Sequence, residues 1–138
     1  VSANVDLVRS ICTAWERGDY SSAAWADAEI EFVRADGPLP GRWTGPQGMV
    51  EATREWLHTW EDARAEADDY RELDPERVLV LTRYAGRGKA SGLDIGSLGA
   101  KGAQLFQIRD GRVVRCVHYL SRDQAFADLG IAPEAGSG

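Results

Sequence analysis

The sequence predicts an α+β domain, with helices concentrated in the first half and strands in the second. Three observations predict it. Apolar residues recur at three- and four-residue steps in N-terminal segments, strand-like runs take over after Arg64, and no repeat or interdomain linker interrupts the 138 residues. The length suits one domain, assigned to residues 1–133, whose core needs no staple. Residues 134–138, ending Gly136-Ser137-Gly138, read as a disordered or added tail.

Val5, Val8, Cys12 and Trp15 place one apolar stripe on a first helix, with Asn4 to cap it and Gly18 to end it. Asp19 then opens a short second helix through Trp25. Glu29-Ile30-Glu31-Phe32-Val33 alternates as a strand does, and Gly37-Pro38-Leu39-Pro40-Gly41 breaks it. Thr44-Gly45-Pro46-Gln47 has the form of a capping box with Pro46 in the first turn. The third helix it opens turns Met49, Thr53, Trp56 and Trp60 inward, widened by Val50 and Leu57. Strands follow at Arg64–Leu73, Arg77–Arg87, Ala103–Ile108 and Arg112–Ser121, with turns at Asp74-Pro75-Glu76 and Asp110-Gly111. The stretch from Gly86 to Gly102 holds six of the 15 glycines and can bulge or bend. A last helix, Asp123–Leu129, stops at Gly130. The expected architecture is a curved, mostly antiparallel sheet with three N-terminal helices packed on its concave face.

A net charge of −6 argues against nucleic acid as a partner. Residues 1–75 carry 7 basic and 16 acidic side chains, while residues 76–138 carry 9 and 6, the basic ones spread singly. That spacing suits a solvated or subunit-facing sheet surface. No apolar run approaches a membrane span, and Val1-Ser2-Ala3-Asn4 has no signal-peptide core, so a cytoplasmic protein without a membrane partner is expected. Cys12 and Cys116 are too few for a disulfide framework or a zinc site and read as small buried residues.

The candidate site comes from the last hairpin. A two-residue turn at Asp110-Gly111 pairs Arg109 with Arg112 and sets Phe106 against Arg115. A three-residue turn pairs Ile108 with Arg112, Phe106 with Val114 and Gln104 with Cys116, which sorts the apolar residues better. The second register is expected. It puts His118 on the core face between Cys116 and Leu120, one diagonal step from Gln104. An imidazole and an amide are costly to bury unpaired, so they satisfy each other or line a hydrated pocket. His118 is then either a structural histidine bonded to a backbone carbonyl or a group that exchanges a proton near neutral pH.

Trp15, Phe32, Trp43, Trp56, Trp60 and Tyr84 supply apolar walls for a small-molecule pocket, although the helical tryptophans equally suit core packing. Phe106, Cys116 and Leu120 complete the expected lining. His58 falls on the outer helix face with Arg54 and Glu51. The two histidines are thereby separated, and no metal site is expected. Gly86-Arg87-Gly88-Lys89-Ala90-Ser91-Gly92 lacks the spacing and the following helix of a phosphate loop. No nucleophile elbow is present, and Cys116 and His118 lack the geometry of a thiolate pair. Asp36 and Asp94 flank the expected cavity mouth, where either becomes a base if buried.

The run Ala14-Trp15-Glu16-Arg17-Gly18-Asp19-Tyr20, the strand Glu29–Phe32, the helix start Gly45-Pro46-Gln47-Gly48 and the closing Arg109-Asp110-Gly111-Arg112-Val113-Val114-Arg115 resemble the SnoaL-like branch of the NTF2-like superfamily. Gly86–Gly92 and the tail Asp123–Gly130 are similar to members from actinobacteria. The resemblance implies a cone-shaped barrel whose cavity is closed by helices, commonly paired as a homodimer through the outer sheet face. Leu79 and Leu81, sharing a face with Arg83, suit such a pairing. Ketosteroid isomerases of this superfamily place a Tyr and two Asp where Ile11, Phe32 and Gln104 stand here, so that mechanism is not implied. Limonene epoxide hydrolase has an inward acid where His118 stands, with partners that would fall near Arg83 and Ala85. SnoaL-type polyketide cyclases use one acid/base residue without a cofactor.

The expectation is therefore cofactor-free cyclase, isomerase or hydrolase chemistry on a small apolar organic molecule. His118 is the proton-transfer residue and Gln104 the carbonyl or oxyanion donor. The alternatives are a non-catalytic binding or dimerisation module with the same cavity, and water activation of the epoxide-hydrolase kind.

Overall fold

The computed structural model describes residues 3–19, 24–36, 40–88 and 101–131, without the side chains of 59–64 and 85–88. Its elements run α1 (Ala3–Glu16), β1 (Ala26–Arg34), β2 (Gly41–Thr44), α2 (Gly45–Thr59), β3 (Trp60–Asp74), β4 (Arg77–Gly88), β5 (Lys101–Arg109), β6 (Arg112–Tyr119) and α3 (Arg122–Leu129). The strands form one curved sheet in the order β2-β1-β6-β5-β4-β3. Only β1 and β6 run parallel; the other neighbours are antiparallel. The α+β architecture and the mostly antiparallel sheet agree with the sequence reading.

Two layers of core flank the sheet. On the concave side the α1 stripe of Val8, Ile11 and Cys12 meets Ile30, Phe32, Val78, Val80, Phe106 and Cys116. On the convex side Leu79, Leu81, Leu105 and Val117 are covered by Ala125 and Phe126 of α3. Leu79 and Leu81 are thus buried within their own chain and give no support to an outer-face dimer. Ser121 caps α3 by accepting from the Gln124 N–H, and Gly130 closes it with a left-handed φ of 67°.

Several expectations change in detail. The described N-terminal half has two helices rather than three: Ala24 and Trp25 form a turn and β1 begins at Ala26, while residues 20–23 lie outside the description. Asn4 lies within α1, and its amide donates to the Pro75 carbonyl at 2.8 Å, tying the helix to the β3–β4 turn. Trp60 begins β3 instead of ending the α2 stripe. On α2 the buried residues are Met49 and Ala52, whereas Val50 and Leu57 are 39% exposed. Most of the glycine-rich segment, with Asp94, lies outside the described residues.

The hairpin register is also corrected. Asp110 (φ 53°) and Gly111 (φ 76°) are both left-handed, the sign pattern of a two-residue turn, and Arg109 pairs with Arg112. One step later the register shifts: Ile108 pairs with Val113 and Gln107 with Arg115, leaving Val114 as the extra residue of a bulge. The energetics favour this. Without the bulge Phe106 would share its face with Arg115. The bulge sacrifices ladder bonding worth ~1 kcal/mol net. In exchange Phe106 enters the core, worth ~1.5–3 kcal/mol, and Arg115 stays on the convex face, 2.7 Å from Glu31.

Candidate functional site

Beyond the bulge, β6 turns Cys116 and His118 to the concave side and Val117 and Tyr119 to the convex side. β1 alternates in step: Ile30, Phe32 and Arg34 are buried on the concave side, and Val33 faces the other way. Cross-strand pairing then lays Arg34, His118, Gln104 and Val80 in one row across β1, β6, β5 and β4. His118 reaches the interior as expected, by a different register, and stands directly opposite Gln104 instead of diagonal to it.

Arg34, His118 and Gln104 of this row floor a cavity of about 80 Å³ beneath α1 and α2, while Val80 belongs to the packed core. Trp15, Phe32, Trp56, Tyr84, Gln104, His118 and Leu120, all anticipated, line it. Arg34, Asp36, Thr53 and Leu57 join them. Phe106 and Cys116 are not lining residues; both are fully buried in the concave core. Trp43 stands behind the wall, its ring 6.1 Å from Phe32 and 4.5 Å from the Arg34 guanidinium. The Trp60 side chain lies outside the description.

His118 is partly buried, wedged with ring centroids 4.7 Å from Phe32 and 5.7 Å from Trp15. Its Nε2 is sealed from solvent and has no hydrogen-bond partner. Burial pushes the imidazole down to about 3, and the Arg34 charge adds to the shift. The ring is therefore neutral at neutral pH, contrary to the expectation of a group poised there. Gln104 does not satisfy it. The Gln104 amide donates to the Tyr84 hydroxyl at 3.3 Å and accepts weakly from the Cys12 thiol at 3.9 Å. Burial holds the Tyr84 phenol well above its ordinary range, so it stays protonated.

Arg34 is 6% exposed and firmly held. It donates to the Ala52 carbonyl at 2.7 Å and to Glu55 at 3.1 Å, and it also lies 5.5 Å from the Trp56 ring. Burial lowers its pKa and Glu55 opposes that. The sequence offered a signal for Arg34. Extending the alternation of Ile30 and Phe32 by one more step puts it on the same face. Asp36 accepts from two backbone N–H groups, Leu120 at 2.6 Å and Ser121 at 3.0 Å, and so fixes the end of β6 against the start of α3. Arg83 is exposed and paired with Asp68 at 2.7 Å, away from the cavity, and His58 is exposed. Among the described residues no three His, Cys, Asp or Glu side chains are placed to hold a metal ion.

A family profile described as a SnoaL-like domain matches residues 8–116. The chain belongs to the SnoaL-like family. The match ends two residues before His118, so it speaks for the framework more than for the imidazole. Solved structures share the fold at low identity. An NTF2-like protein of unknown function from Burkholderia pseudomallei superimposes with a TM-score of 0.73 at 20% identity, covering 92% of this chain and 97% of that one. A protein with a ketosteroid isomerase-like fold from Catenulispora acidiphila, in complex with trimethylamine, gives 0.66 at 14% identity, covering 92% and 94%. TerC, co-crystallised with polyporic acid, gives 0.71 at 18% identity, covering 93% and 98%. A search of curated sequences returns no significant match. No described helix of this SnoaL-like chain is long and apolar enough to cross a membrane.

Proposed function

We propose that this SnoaL-like protein binds a small, largely apolar organic molecule beneath α1 and α2 and performs cofactor-free proton-transfer chemistry on it, of the cyclase or isomerase type. One observation carries the reading: an imidazole and a buried amide, His118 and Gln104, stand opposite each other on neighbouring strands and both line an aromatic cavity. The co-crystals of fold relatives with trimethylamine and with polyporic acid support a cavity that takes organic ligands.

In this reading Trp15, Phe32 and Trp56 clamp the apolar body of the ligand, and Leu57 and Leu120 border the opening. His118 meets the reacting hydrogen or oxygen. Gln104, held by Tyr84 and Cys12, presents its amide from the opposite strand. The enclosed space suits one small ring with its substituents, with any larger part of the ligand leaving through the mouth. Water activation of the epoxide-hydrolase kind has weaker support, because Arg83 points away and Asp36 spends both oxygens on backbone N–H groups.

A second reading, binding without catalysis, is favoured by the neutrality of His118. Substitution separates the two once a converted substrate is found by screening small cyclic ketones and esters. The His118→Ala variant is expected to lose ~10²–10⁴-fold in kcat while ligand affinity changes far less. Undiminished turnover in that variant removes His118 from the chemistry.

A further inference from the structure

The class of ligand is legible from the direction of the hydrogen bonds along the cavity wall. We infer that Tyr84 receives the polar atom of the ligand, donating its hydroxyl hydrogen to a carbonyl oxygen, and that the ligand is an uncharged ketone, quinone or lactone. This deepens the small-molecule reading above and rests on it.

Cys12 of α1 is buried, and burial followed by the Glu16 charge pushes its thiol up to about 12, so it keeps its hydrogen. A protonated thiol is a weak donor, hence the end of Gln104 that faces it at 3.9 Å is the amide oxygen. The other end is fixed by the same stroke: Nε2 donates to the Tyr84 oxygen at 3.3 Å. That oxygen is an acceptor in this contact, so its own hydrogen points elsewhere. Thr82, two residues back on β4, is near enough to favour the phenolate, yet its hydroxyl makes no hydrogen bond. Among the described residues the Tyr84 hydrogen therefore has no acceptor, and Tyr84 lines the cavity. Cys12, Gln104 and Tyr84 form a chain in which each member donates to the next, an arrangement that strengthens the last donor.

The absence of charge on the ligand follows from the other lining groups. Arg34 is paired with Glu55 at 3.1 Å and with the Ala52 carbonyl, and both Arg34 and Glu55 make further interactions. Asp36 spends its two oxygens on the Leu120 and Ser121 N–H groups. His118 is held neutral and the Tyr84 phenol keeps its hydrogen. An ion entering this aromatic pocket sheds its hydration among charged groups that already have partners, which is costly. A neutral carbonyl compound gives up far less water and gains the hydroxyl donor.

The experiment uses probes of one shape and size: acetophenone, ethylbenzene, benzoate and benzylammonium. Affinities are read at neutral pH by ligand-detected NMR titration of the wild type and of Tyr84→Phe. Acetophenone is expected to bind about tenfold tighter than either ion. Tyr84→Phe should weaken acetophenone about fivefold and leave ethylbenzene where it was. Because Gln104 loses its partner in that variant, a second measurement stays on the wild type. The carbonyl signal of labelled acetophenone should move downfield of its position in an apolar solvent, as a hydrogen-bonded carbonyl does. An undisplaced carbonyl signal overturns the inference, and so does an acetophenone affinity that Tyr84→Phe leaves unchanged or lowers no more than that of ethylbenzene. Ions that bind as well as acetophenone overturn the uncharged class. In each of these cases bound ethylbenzene leaves the small-molecule reading standing, and if no probe binds, that reading falls with the inference.

Discussion

Acid should unfold this protein in a way that His118 controls. Its imidazole falls from an ordinary value of 6.5 to about 3 in the folded chain, through burial and then the Arg34 charge. Between those two values the unfolded chain binds a proton that the native state refuses. Stability therefore rises with pH across that window and is lost as pH falls through it. The full shift corresponds to at most about 5 kcal/mol. Near pH 4.5 roughly 3 kcal/mol of it should already be gone, a large fraction of a typical domain's ~5–15 kcal/mol. Carboxylates titrate in the same range, so the comparison must be a difference. Urea unfolding of the wild type and of His118→Gln, each at pH 7.5 and 4.5, isolates the contribution of one ring. The wild type is expected to lose about 3 kcal/mol more than the variant over that interval. Equal losses, or an imidazole NMR titration centred between pH 6 and 7, would refute the picture of a desolvated ring in a positive field.

Two further expectations concern the scaffold around the site. A Cβ at Gly102 would collide with the Tyr119 carbonyl and the Tyr84 ring. Gly102→Ala should cost ~1–3 kcal/mol in a thermal melt and displace the Tyr84 hydroxyl from Gln104. Asp36→Asn halves the anchoring of Leu120 and Ser121, at a cost of about 1–2 kcal/mol. Amide exchange at those two residues should accelerate in that variant, and unchanged exchange would show that the contact holds nothing.

Much of the framework was legible because burial on one face imposes a period. The α1 stripe from Val8 to Trp15, the last four strands and the Gly130 stop follow from that rule and from turn chemistry. Where two periods are locally compatible, the sequence misleads. Trp60 continues the 3.6-residue stripe of α2 on paper, yet the chain has already become strand there. The bulge at Val114 was hidden for a similar reason. Val113 and Val114 are equally apolar, so only the wider sheet, which must keep Phe106 and Cys116 in and Arg115 out, decides between them. Gly41–Thr44 does not read as a strand because glycine and proline precede it and a helix start follows at once, so only its pairing with β1 across the short 35–40 connection orders it. Within the site the aromatic walls were accessible to composition and spacing. Arg34 falls on the alternation of Ile30 and Phe32, but an arginine at a strand end equally reads as solvated, and its cross-strand pairing with His118 decides.

The placement of Arg34 also limits what His118 can do in the proposed chemistry. A base whose conjugate acid lies near 3 gains little by accepting a proton in the empty cavity, and the positive charge beside it makes matters worse. Proton abstraction becomes affordable only if negative charge appears on the ligand as the proton arrives, because that charge then faces both the guanidinium and the new imidazolium. A substrate that forms an enolate meets the condition, and one that releases a neutral product without passing through an anion does not. The alternative role, a neutral Nε2–H donor to a carbonyl oxygen, makes the same demand, since the benefit of Arg34 grows only as that oxygen becomes negative. Under the proposed function, both roles require an oxyanion to be stabilised beside Arg34 and His118.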